Sequence, residues 1–309
     1  DQYLRVQVSG AIEPGELHVY TSAPPRGVGY RVIAPLRLAD GRRIALLDNG
    51  RQGKPLIVAL HGWLDNGASF LPLAPHLAEC HLVCVDLPGH GHSDHKPTPY
   101  VFVDWLDDLH QIAQAAGWQR FILLGHSLGA LIASAYAGVF PEQIVRLILL
   151  EGLGPLSQPD EEVPAQLRRA ILNRSRTRER ASGGFASLDE AVAARCKVAD
   201  ISPAAARLIC ERQLEEREGR WHWRSDPRLR DLSPMRMSEG QAQALIRAIA
   251  CPVLFIRGEQ GFQGLLAQWQ QRGPLFGQIE MVQVAGNHHF HMANSAKTAV
   301  YIENFCQIR

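Results

Sequence analysis

The pentapeptide Gly125-His126-Ser127-Leu128-Gly129 has the GxSxG spacing that places a nucleophilic serine on a tight turn. A four-residue apolar run precedes it and an alanine-rich helical pattern follows, so the sequence predicts a strand, a turn and then a helix. On such a turn the hydroxyl of Ser127 is exposed at the end of the strand, and the N-terminus of the helix faces any oxyanion that forms. The alternative is a serine that only caps the helix.

A second turn, HGWL at 61–64, follows the apolar run at 55–60. From this position a backbone amide can reach the same oxyanion. We therefore expect the amides of Trp63 and Leu128 to be the two donors that stabilise a tetrahedral intermediate. The alternative is an ordinary turn with a packed tryptophan.

A general base for the serine has to be chosen among 13 histidines. In folds with this kind of turn the base follows the last strand, and MVQVAGNHHFHM at 281–292 is a strand that runs into a histidine cluster. Of His288, His289 and His291 we favour His288, two residues after the glycine. The cluster also suggests a metal site, but no carboxylate or cysteine accompanies these histidines in the segment, so the sequence predicts no metal.

A sheet must position these residues. Near-continuous apolar runs bounded by Gly and Pro are typical of parallel strands covered on both faces, and five occur, at 55–62, 81–89, 120–127, 146–152 and 252–258. Between them, apolar residues from Phe102 to Ala116 recur at helical spacing, which indicates crossover helices. Upstream, the segments 31–41 and 42–50 predict an antiparallel hairpin at the sheet edge, and the first 26 residues are a candidate for a further short strand pair. The predicted fold class is α/β, with a mostly parallel, doubly covered sheet.

The middle of the chain differs, because residues 160–250 hold 31 of the chain's 63 charged side chains. Helix starts are recognisable in three places: Ser187 with Glu190 and Ser238 with Gln241 as capping boxes, and Ser202 followed by Pro203. The sequence therefore predicts an all-helical insertion. It leaves after the fourth apolar run and returns before the fifth, so it should lie over the carboxyl ends of the strands, where ligands bind in open α/β sheets.

The expected division is a core of residues 1–154 and 251–309, with 1–26 as an N-terminal extension, and a helical cap of residues 155–250. The basic segment RSRTRER at 174–180 suggests attraction of an acidic substrate or partner. The alternative, a solvated helical surface, is favoured by the interleaved glutamates at 179, 211, 215, 216 and 218.

Composition excludes several classes of protein. With 32 basic and 31 acidic residues the formal charge is +1, which supplies no broad field for nucleic acid. The segment 121–140 carries no charge, but glycines, a histidine and a serine interrupt it, so we expect no membrane span. Six cysteines without a CxxC pair indicate free thiols and no zinc site. No signal peptide is visible, so we expect a cytoplasmic protein.

Four motifs together resemble the α/β-hydrolase superfamily with a helical cap, over about residues 30–309: HGW, DLPGHGHS at 86–93, GHSLG and GNHHFH at 286–291. LLEGLGP at 149–155 and WRSDPRL at 223–229 are similar to the serine hydrolase-like proteins within it. The resemblance implies Ser127 as nucleophile, His288 as base, the two amides as oxyanion donors and the cap as a lid over an acyl or alcohol pocket. Serine as nucleophile argues against epoxide hydrolase and haloalkane dehalogenase activities, which use aspartate.

The acid that should support the histidine departs from the common pattern. An acidic residue is expected at the third position after Gly258, where this sequence has Gly261. Glu259 in the same turn is one candidate. Glu151 is the other, and some superfamily members take their acid from the end of that strand. We favour Glu151, because it follows an apolar strand and precedes a glycine, so its side chain can lie beside the base beneath the cap.

The predicted reaction is hydrolysis of a carboxylic ester of a small or medium-sized substrate through an acyl-enzyme. No cofactor is needed, and the expected partner is a small-molecule ester. Three alternatives remain open from the sequence: hydrolysis of a carbon–carbon bond in a diketone, hydrolysis of a thioester, and a catalytically silent hydrolase fold that binds a ligand or a protein.

Overall fold

The computed structural model describes residues 31–179 and 183–307 of the chain. Within these ranges the strands are β1 (Arg31–Arg37), β2 (Arg43–Asp48), β3 (Leu56–Leu60), β4 (His81–Val85), β5 (Phe121–His126), β6 (Ile144–Leu150), β7 (Leu214–Arg217), β8 (Arg220–Trp223), β9 (Val253–Gly258) and β10 (Ile279–Val284). The helices are α1 (Phe102–Ala116), α2 (Leu128–Val139), α3 (Val163–Glu179), α4 (Leu188–Val198), α5 (Pro203–Gln213), α6 (Glu239–Arg247), α7 (Gly264–Arg272), α8 (Phe290–Ala293) and α9 (Ser295–Cys306).

Eight of these strands form one sheet in the order β1-β2-β4-β3-β5-β6-β9-β10. The two pairs that involve β2 are antiparallel, and the other pairs are parallel. The predicted hairpin and the five predicted apolar strands are confirmed as β1–β2 and as β3, β4, β5, β6 and β9. The strand pair predicted within the first 26 residues lies outside the described residues. The α/β fold with a mostly parallel sheet is confirmed.

Helices cover both faces of the sheet, which is why its strands are apolar on both sides. In β3, Val58 and Leu60 belong to one buried apolar cluster, and Ile57 and Ala59 belong to the other. Helices α1, α2, α6 and α7 contribute to the first cluster, and α9 contributes to the second. The carboxyl ends of β3, β5, β6 and β9 consequently meet at one edge of a rigid layer.

The connection between β6 and β9 contains α3, α4, α5 and the hairpin β7–β8. The hairpin departs from the all-helical insertion that the sequence predicts. Its turn is Glu218-Gly219, with φ of 52° and 76°, the two-residue turn with positive φ that matches the twist of paired strands. Leu214 is buried against α4 and α5, Glu215 is half-buried, and Glu216 is exposed. The charged positions from 215 to 218 therefore lie on β7 and its turn, and not on a helical surface.

The helix starts predicted at Ser187, Ser202 and Ser238 are confirmed, with one difference in a capping bond. Ser202 and Ser238 accept hydrogen bonds from the amides of Ala205 and Gln241, and Ser238 has the complete capping box. At Ser187 the serine half of the box is present, since its side chain accepts from the Glu190 amide. The Glu190 carboxylate, however, accepts from the amide of residue 186, one position before the cap.

Helix α6 packs closely on α2. A Cβ atom added to Gly138 of α2 would lie 2.3 Å from the carbonyl oxygen of Leu245 in α6, and Ile246 belongs to the core cluster beside α2. Helix α6 is thus a crossover helix that covers the sheet. The division of the chain at residues 155 and 250 stays a prediction, and the packing of α6 favours an insertion that ends before this helix.

The uncharged segment 121–140 forms β5, the turn and α2, as the sequence predicts. Among residues 31–179 and 183–307, no helix has both the length and the apolar character needed to cross a membrane. All six cysteines are free thiols. The cytoplasmic location stays a prediction.

Candidate active site

Ser127 lies on the sharp turn between β5 and α2, with φ 54° and ψ −117°. A non-glycine residue with positive φ is strained by about 1–3 kcal/mol, and such strain recurs at functional sites. Two glycines make the turn possible: a Cβ atom on Gly125 would lie 2.1 Å from the carbonyl oxygen of Gly129, and one on Gly129 would lie 2.0 Å from that of Leu60. The strand, turn and helix around Ser127 are therefore as the sequence predicts.

The loop after β10 brings His288 to this serine. His288 Nε2 lies 3.0 Å from Ser127 Oγ, and Nδ1 lies 3.1 Å from Glu151 Oε1. A carboxylate can only accept, so Nδ1 carries the proton and Nε2 is free to accept the hydroxyl proton of the serine. The two neighbouring histidines bond elsewhere, His289 to Asp65 and His291 to Ser69. Of the three candidate bases, only His288 contacts Ser127 in the described structure.

Glu151 is the acidic residue that reaches His288. It follows β6 directly, is 2% exposed and also has a positive φ, of 55°. Two amides hold its carboxylate, Gly258 N on Oε2 and Phe262 N on Oε1, each at 2.9 Å. The other candidate, Glu259, is exposed to solvent.

Gly261 explains why the acid comes from this strand. A Cβ atom at Gly261 would lie only 2.0 Å from Glu151 Oε1. The missing side chain at the position where the common pattern has its acid thus leaves the space that the Glu151 carboxylate fills. Phe262 then stacks on the His288 ring at a centroid distance of 3.9 Å. Nothing in the sequence indicated this stacking.

The amides of Trp63 and Leu128 both lie beside Ser127. Leu128 is the first residue of α2, and a Cβ atom on Gly62 would be 3.3 Å from the Cβ of Ser127. Neither amide has a hydrogen-bond partner in the described part of the chain. Both are consequently available to an oxygen atom bound next to the serine.

Two buried histidines, whose part in the turn the sequence did not indicate, hold the 61–64 turn. His61 Nδ1 lies 2.7 Å from the carbonyl oxygen of Gly62, and His90 Nε2 accepts from the amide of Leu64 at 3.1 Å. Burial lowers the pKa of His90 to about 3, and burial also lowers the pKa of His61. His90 is therefore neutral at neutral pH, as its acceptor role requires. Its place in DLPGHGHS was the only signal available from the sequence.

Two cavities meet at Ser127, and Trp63, Arg230 and Phe262 line both. The smaller, about 490 Å³, also contacts polar side chains from the core and the insertion: Asp65, Arg195, Gln213 and His289. The larger, about 990 Å³, is lined mainly by apolar side chains, among them Leu128, Leu131, Leu156, Met235, Met237 and Leu245. The Trp63 indole donates to the carbonyl oxygen of Leu229 in the insertion at 2.7 Å, so this side chain bridges core and insertion between the cavities.

Polar contacts also join the insertion to the core below it. Arg212 of α5 donates to the buried carboxylate of Asp86 at 3.0 Å, and Asn66 donates to Gln213 at 3.1 Å. Burial would raise the pKa of Asp86, but the Arg212 guanidinium and two backbone amides outweigh burial and keep it below its usual value. These contacts join the insertion to the segments that follow β4 and β3.

Comparison with known proteins agrees with this architecture. The profile of the alpha/beta hydrolase fold family matches residues 55–290. A serine hydrolase-like protein of Dictyostelium discoideum is 31% identical over 265 residues, which are 80% of this chain and 73% of that protein. A hypothetical protein of Pseudomonas aeruginosa PAO1 has a crystal structure that superposes with a TM-score of 0.81 at 34% identity, covering 91% of this chain and 100% of its own.

A thioesterase domain from the curacin biosynthetic pathway superposes with a TM-score of 0.77 at 25% identity, and the match covers 89% of this chain and 99% of that domain. The sequence, the sheet topology and these matches agree. The chain belongs to the α/β-hydrolase fold family, within the group of serine hydrolase-like proteins.

Proposed function

We propose that this protein hydrolyses carboxylic esters of small or medium-sized substrates through an acyl-enzyme on Ser127. The observation that carries the proposal is the hydrogen-bonded chain Ser127–His288–Glu151, with distances of 3.0 Å and 3.1 Å. A serine hydroxyl is a weak nucleophile until an adjacent base accepts its proton, and the base works best when a third group fixes its tautomer. The buried Glu151 carboxylate does this for His288.

In the first half of the reaction Ser127 Oγ attacks the ester carbonyl while His288 Nε2 takes the hydroxyl proton. The negative charge that develops on the carbonyl oxygen is stabilised by the amides of Trp63 and Leu128, and each such donor contributes about 3 to 4 kcal/mol in the transition state. His288 then protonates the leaving alcohol. In the second half it activates water, which releases the acid and restores the free serine.

The two cavities suggest how a substrate is accommodated. They meet at Ser127, so an ester carbonyl placed there has room for one substituent in each. The larger apolar cavity suits an acyl chain and the smaller, more polar cavity suits the alcohol part. A hydrolysis screen of p-nitrophenyl esters from acetate to palmitate measures how long an acyl chain the larger cavity accepts.

The deciding experiment combines an activity-based probe with kinetics. We expect a fluorophosphonate to label the wild-type protein and not the Ser127→Ala variant. The kcat of this variant should fall on the order of 10⁶-fold, because nucleophile and base act as a unit. Ser225→Ala is the matched control, since Ser225 lines the same smaller cavity. A Ser127→Ala variant that kept more than about a tenth of the esterase activity would exclude Ser127 as nucleophile. Absence of labelling in the wild type would favour a catalytically silent binding protein.

A thioesterase is the second candidate, because the chain is similar to the curacin thioesterase domain. The same residues can attack a thioester carbonyl. A matched pair of substrates with the same acyl chain, one an oxoester and one a thioester, separates the two: the preferred bond is the one with the higher kcat/KM.

A further inference from the structure

A second buried cluster lies beside the Ser127–His288–Glu151 chain, and none of its side chains takes part in the proton transfers of the proposed hydrolysis. It consists of Asp65, His126 and His289, which are 2%, 0% and 4% exposed. One ligand atom from each residue lies within 4.8 Å of the ligand atoms of the other two. The three side chains come from three segments, namely the turn after β3, the end of β5 and the loop after β10.

The hydrogen bonds of His126 define where its lone pair is. His126 Nε2 lies 2.7 Å from the carbonyl oxygen of His288, and a carbonyl only accepts, so Nε2 carries the proton. Nδ1 therefore has a free lone pair, and in the described residues this buried atom has no hydrogen-bond partner. Nδ1 and Asp65 Oδ2 both lie 3.4 Å from the point where a Cβ on Gly62 would be. The unpartnered nitrogen and the carboxylate oxygen therefore both border the space next to Gly62.

The hydrogen bonds of His289 likewise show which of its ring nitrogens carries the proton. Its Nδ1 lies 3.2 Å from the carbonyl oxygen of Asp200 and donates to it. Its Nε2 lies 2.9 Å from Asp65 Oδ2. On a neutral ring with the proton on Nδ1, the lone pair of Nε2 therefore faces this carboxylate oxygen. A proton on Nε2 would satisfy that one contact and leave His126 Nδ1 unpaired. A metal cation satisfies all three atoms at once.

We infer that Asp65 Oδ2, His126 Nδ1 and His289 Nε2 form a binding site for one Zn²⁺ ion. Two imidazoles and a carboxylate are a ligand set that zinc takes at about 2.0–2.2 Å, which requires ligand atoms roughly 3.3–3.6 Å apart in a tetrahedron. The present arrangement has the ligand atoms within 4.8 Å of one another, and His289 Nε2 2.9 Å from Asp65 Oδ2, so binding requires adjustments of these distances. Three protein ligands leave a fourth position for water.

Groups around the cluster already orient the three ligands. The protonated nitrogens of both histidines donate to backbone carbonyls, and Arg195 of the insertion pairs with Asp65 Oδ1. Such outer contacts fix the tautomer and the direction of a ligand. The bound ion would join the segments that carry Trp63, Ser127 and His288, and so stabilise their relative positions. The sequence alone could not indicate this site, because its carboxylate is more than 200 residues away from His289.

The test is a metal titration of the full chain after removal of metals with a chelator. We expect one Co²⁺ per chain, with the visible absorption bands of four-coordinate cobalt, and displacement of the Co²⁺ by one equivalent of Zn²⁺. Zinc should also raise the thermal unfolding midpoint, because it binds the folded chain preferentially. A wild-type protein that gave neither stoichiometric binding nor these bands would overturn the inference, and water or a proton would then fill the site.

Variants separate this site from surface histidines. His289→Gln and Asp65→Asn should weaken zinc binding by at least about 100-fold, more than loss of an outer partner causes. His291→Gln is the control, because its ring is buried in the same histidine cluster, 4.1 Å from that of His126, but outside the ligand set; it should keep wild-type affinity. Circular dichroism checks that each variant is folded. If His289→Gln bound zinc as tightly as His291→Gln, the assignment would be wrong, and the wild-type titration decides if a ligand variant does not fold.

Discussion

Replacing Gly261 by alanine tests the role of Glu151 without altering any charged group. The Cβ of the alanine would lie 2.0 Å from Glu151 Oε1, and contacts under 3.0 Å essentially do not occur, so the carboxylate must move by at least 1.0 Å. Gly261 is not among the glycines with positive φ, and alanine therefore fits its backbone. The substitution displaces the acid and leaves the turn otherwise intact.

The size of the effect follows from what Oε1 contacts. This oxygen accepts from His288 Nδ1 at 3.1 Å and from the Phe262 amide at 2.9 Å, so a shift of 1.0 Å or more breaks or distorts both bonds. A misplacement of about 1 Å costs about 100-fold in rate, and complete loss of the acid costs about 10⁴-fold. We expect kcat to fall between these limits, which corresponds to about 2.7 to 5.4 kcal/mol in the activation barrier.

The assay is kcat on an activated p-nitrophenyl ester at saturating substrate, with thermal unfolding as a check on folding. Gly264→Ala is the matched control, because a Cβ at Gly264, three positions further along the same segment, meets nothing within 4 Å; it should keep the wild-type kcat. The kcat of Glu151→Gln should fall by about 10⁴-fold, and that of Glu259→Gln should stay at the wild-type value. If Gly261→Ala turned over as fast as Gly264→Ala, the carboxylate of Glu151 would not be the functional acid.

Two further predictions concern stability and pH. Arg212→Met should lower the free energy of unfolding by about 3–5 kcal/mol, because the Asp86 carboxylate is left buried without its counter-ion; a urea midpoint equal to that of the wild type would contradict this. The hydrogen bond and ion pair from Arg272 lower the pKa of Glu239 to about 2. Glu239 therefore adds stability above its unfolded-state pKa of about 4.3, and this contribution is lost as the pH falls towards 2. The difference in thermal unfolding midpoint between wild type and Glu239→Gln should shrink from pH 6 to pH 3. A difference that stayed constant over this range would refute the stabilising role of the Glu239 charge.

Much of the site geometry could be predicted from local sequence, because it depends on where strands end. The apolar run before Gly125 specifies the strand, and the two glycines specify the turn that holds Ser127. Glu151 and His288 could be placed for the same reason, since Glu151 directly follows β6, His288 lies in the loop after β10, and the carboxyl ends of parallel strands converge.

Other parts depend on contacts between distant segments. The stacking of Phe262 on His288 and the contact of Asp65 with His289 join residues that have no common local pattern. The hairpin β7–β8 was missed for a different reason: its run of charged residues at 215–218 is compatible with a charged helix as well as with a strand. The antiparallel pairing, the turn at Glu218-Gly219 and the burial of Leu214 against α4 and α5 distinguish the two.

The position of the insertion also affects how the chain can fold during synthesis. β6 pairs with β9 in the finished sheet, yet 102 residues separate Leu150 from Val253. At about 5–20 residues per second, the ribosome needs about 5 to 20 s to produce the intervening segment. Throughout that interval the edge of β6 has unpaired amides and carbonyls and can pair with another nascent chain. Premature termination before β9 would make this exposed edge permanent, so truncated products should aggregate rather than persist as folded half-sheets.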